Sequence, residues 1–313
     1  MRHPVLRDPG LVAARSVLRI GGIAFDAAST LPFHHSPDPA YVDFVAGEPD
    51  ARDTVIRVEI EEGNAAPPFG SRQTFDTGSA WSAYALEGDD TAIVMARPAE
   101  REKPLLSARF DAGVTRVKVV CSPELAVDGR FYTPLRYPLD QLLMMQRLAR
   151  EGGAIIHCAL LDVGGVAVIC PGVSGAGKTT LAHQLVGIPD IRVLSDDRAV
   201  IRRAGDVYHA HGTPWPGEGG FAVNQALPLA GIGFIQQREA PTTERISQSQ
   251  AIHRLVRVAS IPWFDREAGP RVFDGLADLC GRVPTWLLGV PPDASAVAAV
   301  RALAAGRAYP GPT

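Results

Sequence analysis

The sequence predicts an α/β chain in two parts: a β-rich module over residues 1–133, then an α/β unit over residues 134–313. Three observations carry that expectation. The first part is a series of short apolar and β-branched runs separated by Gly- and Asp-containing turns. The composition shifts near Thr133-Pro134 and Pro138, and beyond that point helical and strand-like periods alternate. Within the second part, the run Gly172-Val173-Ser174-Gly175-Ala176-Gly177-Lys178-Thr179 sits between an apolar strand-like stretch and a helix-compatible one.

In the first part, residues 17–20 and 23–25 flank Gly21-Gly22, and residues 54–60 alternate apolar and polar as a half-buried strand does. Two further hairpins are expected, 81–86 with 91–96 and 105–110 with 115–120, so the module reads as antiparallel. In the second part, residues 139–150 form an amphipathic helix that stops at Gly152-Gly153. Strands are expected over 154–161 and 166–170 around a Gly164-Gly165 turn. A helix over 180–186 and a strand over 191–195 come next. A hairpin over 199–203 and 207–211 leads into the Pro- and Gly-rich loop 212–220, which holds Trp215 and Glu218. The remainder alternates a strand at 232–236, a helix opened by the capping box Ser247 to Gln250, a helix at 272–280, a strand at 285–288 and a final alanine-rich helix.

At 313 residues, with 46% hydrophobic and 21% charged residues, the chain has apolar material for one large core or two ordinary ones. A formal charge of -3 gives no electrostatic reason to expect nucleic acid or an anionic membrane as partner. The longest apolar stretch, 154–170, is interrupted by His157 and Asp162 and is too short and polar to cross a bilayer. Four separated cysteines without a C-x-x-C spacing read as buried free thiols, which points to a reducing cytoplasm. His209 and His211 share a strand face, but no third ligand stands at a metal-binding spacing.

Residues 172–179 fit the phosphate-binding pattern G-x-x-x-x-G-K-[ST] without a gap. Small residues let successive backbone N–H groups turn inward around a polyphosphate, and the following helix points its positive end at the same anion. Gly172, Val173, Ser174, Gly175, Ala176, Gly177, Lys178, Thr179 and Thr180 are therefore the expected nucleotide contacts. Lys178 would reach the β- and γ-phosphates and Thr179 would ligate Mg²⁺. The chain holds only three lysines against 28 arginines, so a lysine at this position is unlikely to be accidental. Asp196-Asp197 closes the next strand, where nucleotide-binding sheets place a metal ligand. We assign Asp196 to the metal and Asp197 as the base, two roles that adjacent carboxylates can exchange. If Gly164-Gly165 is a two-residue turn, the register puts Val163 opposite Val166, Leu161 opposite Val168 and His157 opposite Gly172. The residues alone leave His157 open between a core histidine and a site histidine.

Taken together, the run His157 to Asp162, the loop GVSGAGKTT and Ser195-Asp196-Asp197-Arg198 resemble the catalytic core of HPr kinase/phosphorylase and its relatives. The loop and the Asp pair are also similar to those of ATP-dependent phosphoenolpyruvate carboxykinase. The resemblance runs from about Tyr137 onward. It implies a nucleotide-binding α/β domain of HPr kinase type, with ATP and Mg²⁺ as cofactors and with His157, Lys178 and Asp197 as catalytic residues. The implied reaction moves the γ-phosphate to a hydroxyl of a peptide, protein or small molecule. A sensor that binds ATP without transfer is the competing expectation, and a homo-oligomer is compatible with either. Three features depart from that family, the first being that their HPr-docking and phosphorolysis segment aligns with nothing after Glu218. Thr180 stands where HPr kinases usually carry glutamate, and residues 1–133 match nothing in them.

Overall fold

The computed structural model describes residues 11–309 except 13–14, 31–32, 127–130 and 292. Its contacts divide the chain into two units, residues 1–144 and 145–313. The first unit holds strands β1 (Leu11–Val12), β2 (Arg15–Ile20), β3 (Ile23–Ser29), β4 (Phe33–His34), β5 (Val45–Ala46), β6 (Thr54–Glu62), β7 (Arg72–Asp76), β8 (Trp81–Ala85), β9 (Thr91–Ala96), β10 (Pro104–Phe110) and β11 (Arg116–Cys121). Nine of them form one sheet in the order β5-β2-β3-β6-β11-β10-β9-β8-β7, and β1 pairs with β4. The alternation expected of β6 is present: Ile56, Val58 and Ile60 are buried while Val55, Arg57 and Glu59 face outward. Burying each of the two isoleucines is worth about 2 kcal/mol.

The sheet is not purely antiparallel, as the hairpin signals had suggested. β6 runs parallel to both β3 and β11. The segment between β3 and β6 is long enough to cross over, so β6 inserts beside β3 in the same direction instead of folding back as a hairpin.

The second unit begins within α1 (Leu139–Arg150) and continues through β12 (Ala154–Val163), β13 (Val166–Pro171), α2 (Lys178–Leu185), β14 (Ile191–Ser195), β15 (Arg198–Ala204), β16 (Val207–His211), β17 (Ala226–Gln237), β18 (Thr242–Arg245), α3 (Gln248–Val256), α4 (Ala268–Arg282), β19 (Thr285–Val290) and α5 (Val297–Ala304). β12 and β13 are apolar on both sides because both sides are covered. Cys158, Leu160, Ala167 and Ile169 pack into one core with α3 and α4. Ala159, Leu161, Val168 and Cys170 pack into another with α2 and α5.

Two long strands each have three partners, and each changes neighbours partway along its length. β12 pairs with β15 over residues 154–157 and with β14 over 160–163. β17 pairs with β16 as far as Pro228 and with β13 from Leu229 onward. The strand expected at 232–236 begins earlier, at Ala226, and runs through Pro228 and Gly231. Pro228 lacks an N–H, and it stands where the strand changes neighbours. Gly231 lies where a Cβ would be 3.0 Å from the Leu303 carbonyl, so its absence lets α5 approach the sheet closely. β14 lies beside β12, with β12 between it and β13, because the β12–β13 hairpin already occupies that edge of β13.

Among the described residues, no helix is long and apolar enough to cross a membrane. All four cysteines are free and buried, and burial pushes the thiols of Cys121, Cys170 and Cys280 up to about 12.

His211 supplies a test of the fold. Burial, with the nearby charges of Arg202 and His209, pushes its imidazole down to about 4 from an ordinary 6.5. Its folded value lies below its unfolded one, so between pH 6.5 and 4 the unfolded chain binds the extra proton and stability falls as pH falls. The contribution at stake is about 2 to 3 kcal/mol. Urea unfolding of the parent and of His211→Asn at pH 7.5, 6 and 4.5 should show a smaller loss in the variant; equal losses would contradict a buried neutral imidazole.

Candidate functional site

Residues 172–177 leave the end of β13 and turn into α2, whose first residue is Lys178. The turn depends on its glycines. Gly175 (φ 79°) and Gly177 (φ 101°) occupy the left-handed region that side chains disfavour. At Gly172 a Cβ would stand 2.7 Å from the Ala176 Cβ. Lys178 is 6% exposed, and its Nζ donates to the carbonyls of Gly172 (3.0 Å) and Val173 (3.1 Å). Burial pulls its ammonium below the ordinary value, opposed chiefly by the charge of Asp197 and more weakly by Asp196. Val173, Ser174 and Gly175 are exposed, Ala176, Gly177 and Thr179 are half-buried, and Thr180 faces out from α2.

The turn between β12 and β13 uses Gly164 (φ 62°) and Gly165 (φ 90°), and the pairing runs Val163 with Val166 and Leu161 with Val168. The same register brings the Gly172 N–H to the His157 carbonyl at 3.4 Å. His157 therefore lies beside the start of the glycine loop. Its Nε2 is 2.9 Å from Asp197 Oδ1, and Arg198 Nε is 3.1 Å from Asp197 Oδ2. Burial alone would push the Asp197 carboxyl up. The hydrogen bond from His157 and the charges of Arg198, His157 and Lys178 outweigh it and hold the group below the usual carboxylate range. Asp197 is thus ionised and braced on both oxygens.

Asp196 is engaged differently. Only 1% exposed, it accepts the Gly217 N–H on Oδ1 at 3.0 Å and the Gly219 N–H on Oδ2 at 2.7 Å. A Cβ at either glycine would lie 2.8 or 2.7 Å from Asp196 Oδ2, so only glycine permits the contact. The loop that carries these amides is pinned at both limbs. Thr213, fully buried, donates through Oγ1 to the Arg198 carbonyl at 2.8 Å, and the Gly212 N–H reaches the Gln225 carbonyl at 3.0 Å. Trp215 is buried, and Phe221 packs on His183 of α2 with ring centroids 5.7 Å apart.

The geometry thus gathers His157, Lys178 and Asp197 around the glycine loop and turns Asp196 into the loop 217–219. Two participants were missing from the expected set. Arg198 directly follows the Asp pair, and its role as partner of Asp197 could have been suspected from adjacency. The contact of Asp196 with residues 21 and 23 positions later leaves no local signal. Among the described residues, no three His, Cys, Asp or Glu side chains form a metal-holding group. A nucleotide-bound Mg²⁺ needs only one or two protein oxygens besides phosphates and water, so Thr179 and Asp196 are a sufficient hard-donor set for it.

Comparison with known proteins places residues 138–290 on the model of a family described as "SynChlorMet cassette protein ScmC". No curated protein matches the chain. Among solved structures, the Hpr(Ser) kinase/phosphatase from Coxiella burnetii is similar at 13% identity and a TM-score of 0.25, over 44% of this chain and 85% of that one. A superposition that loose decides neither fold nor activity.

The Asp196 contact yields a stability test. Asp196→Ala leaves two part-buried N–H groups without their acceptor and should lower the unfolding free energy by about 1 to 3 kcal/mol. Gly219→Ala should cost a similar amount through collision with the carboxylate. The double variant should lose less than the sum, because the new methyl then enters vacated space. Strict additivity in urea titrations would mean that the two positions do not touch.

Proposed function

We propose that the chain is an ATP- and Mg²⁺-dependent phosphotransferase that moves the γ-phosphate to a hydroxyl of a peptide, small protein or small molecule. The observation that carries this reading is the shared neighbourhood of Lys178 and Asp197. A cation on the glycine loop and an ionised carboxylate beside it supply the two polarities that phosphoryl transfer requires. In this reading, inward N–H groups of residues 172–177 hold the polyphosphate, and Lys178 exchanges the carbonyls of Gly172 and Val173 for phosphate oxygens. Thr179 and Asp196 hold Mg²⁺, whose chemistry is to neutralise charge on the phosphates. The amide bonds to Asp196 orient that carboxylate, as outer contacts do for metal ligands generally.

Asp197 receives the acceptor proton as the hydroxyl oxygen bonds to the γ-phosphorus and the bond to the β-phosphate oxygen breaks, its electron pair leaving with ADP. A carboxylate held below its usual range is a weak base. That costs little here, because the loose transition state of phosphoryl transfer depends more on position and charge than on base strength. His157 keeps the carboxylate in place and in one orientation. One observation favours the competing reading, a nucleotide-sensing module without transfer: both Asp197 oxygens are already paired, and one must yield to an acceptor.

Two variants test the proposal. Lys178→Ala should weaken a non-hydrolysable ATP analogue by about 10- to 100-fold, the worth of a charged hydrogen-bonding partner, with circular dichroism retained. Parent-like binding would remove the loop from the site. Asp197→Asn should bind the analogue within a few-fold of the parent while transfer of labelled γ-phosphate falls about 10²- to 10⁴-fold. Unchanged transfer would refute the base role, and a parent that binds ATP but labels no acceptor would favour the sensor.

A further inference from the structure

The loop 212–225 carries one charged side chain at its tip, and the site described above leaves it unused. Glu218 lies between Gly217 and Gly219, the two residues whose N–H groups Asp196 binds and at which Asp196 leaves no room for a side chain. Gly217 also abuts Asp197, since a Cβ at 217 would lie 3.3 Å from the Asp197 Cβ. Glu218 is thus one backbone step, about 3.8 Å, from a residue packed against Asp197. The segment cannot drift far from that position, because Thr213 ties one limb to the Arg198 carbonyl and the Val223 N–H ties the other to the Leu194 carbonyl at 3.0 Å.

The charges around it are otherwise spoken for. Asp197 is paired with His157 and Arg198, Asp196 with two amides, and Lys178 with two carbonyls. Glu218 is exposed and, among the described residues, makes no ion pair. Compact loops with joined ends and a fixed tip are a common way of displaying a binding residue.

Building on the transfer reading, we propose that Glu218 is a specificity-determining residue: its carboxylate recognises an ammonium or guanidinium group next to the hydroxyl that is phosphorylated. An acceptor whose hydroxyl rests on Asp197 must pass the Gly217–Gly219 segment. A cation on it meets Glu218, and an anion is repelled. The cation can belong to a basic side chain of a peptide or to a small amino alcohol, and two substrate series separate these sources.

The test measures label transfer from γ-labelled ATP by the parent, Glu218→Gln and Glu218→Lys. One series consists of serine hexapeptides that differ only in Lys, Ala or Glu beside the serine; the other pairs ethanolamine with ethylene glycol. Titration of a Mg²⁺-bound ATP analogue accompanies each protein. The parent should label the cationic member about two- to five-fold faster than its neutral counterpart, the range of a solvent-accessible ion pair. Glu218→Gln should abolish that preference, and Glu218→Lys should invert it. The series in which labelling appears identifies the source of the cation. The same ranking in the parent and in both variants overturns the inference while leaving transfer intact. So does labelling of neither series by a parent that binds the analogue, which also removes hydroxyl transfer to these classes and leaves nucleotide binding standing. A parent that fails to bind the analogue overturns the proposed function, and the inference falls with it.

Discussion

A carboxylate at 1% exposure must have its oxygens hydrogen-bonded, and the bonds that Asp196 accepts fix the path of a distant loop in the C-terminal unit. The two amides come from a loop that starts beyond β16, so a side chain at the end of β14 determines where a segment more than twenty residues later must lie. That arrangement requires glycine at 217 and 219 for reasons of space, independent of backbone dihedral preference. The neighbouring Asp197 is bound to a different set, His157 and Arg198. Two adjacent carboxylates thus have separate partners.

The sharing of β12 and β17 between partners is the backbone counterpart of this economy. Each strand is long enough to leave one neighbour and take up another, and the changeover on β12 falls next to His157. The His157 N–H goes to the Val258 carbonyl at 2.8 Å and its carbonyl to Gly172, so the residue is held by its main chain on two sides before its ring meets Asp197. An imidazole fixed in this way can orient a carboxylate without much loss of side-chain freedom on binding.

How much of this could be read in the sequence follows from the range of the interactions involved. The β12–β13 hairpin was legible because a Gly-Gly turn between two apolar runs determines register locally, and the position of His157 opposite Gly172 follows from counting residues. Helix α1 was legible from its apolar periodicity and the glycines after it, and the start of α3 from its capping box. The place of β14 was not legible, since strand order depends on which edge remains free after the hairpin closes. The first half of β17 was hidden because Pro228 and Gly231 are ordinarily breakers, and only the change of partners makes them acceptable there. In the site, the glycine loop and Asp pair announced themselves by pattern. The amides that hold Asp196 did not, because any residue has an N–H and sequence does not mark which ones are used.

The loop over the Asp pair also touches something unrelated to chemistry. Its far limb forms a bridge from Ala222 to Ser195, and the Val223 N–H caps the Leu194 carbonyl, which occupies the side of β14 turned away from β12. An open strand edge is a template for another chain, and folded proteins commonly cover such edges. A substitution that loosens residues 217–219 therefore reaches beyond the Asp pair. Where it frees residues 222–223 as well, it uncovers main-chain groups of Leu194 and Ser195 on an apolar strand, and self-association becomes a cost of losing the loop.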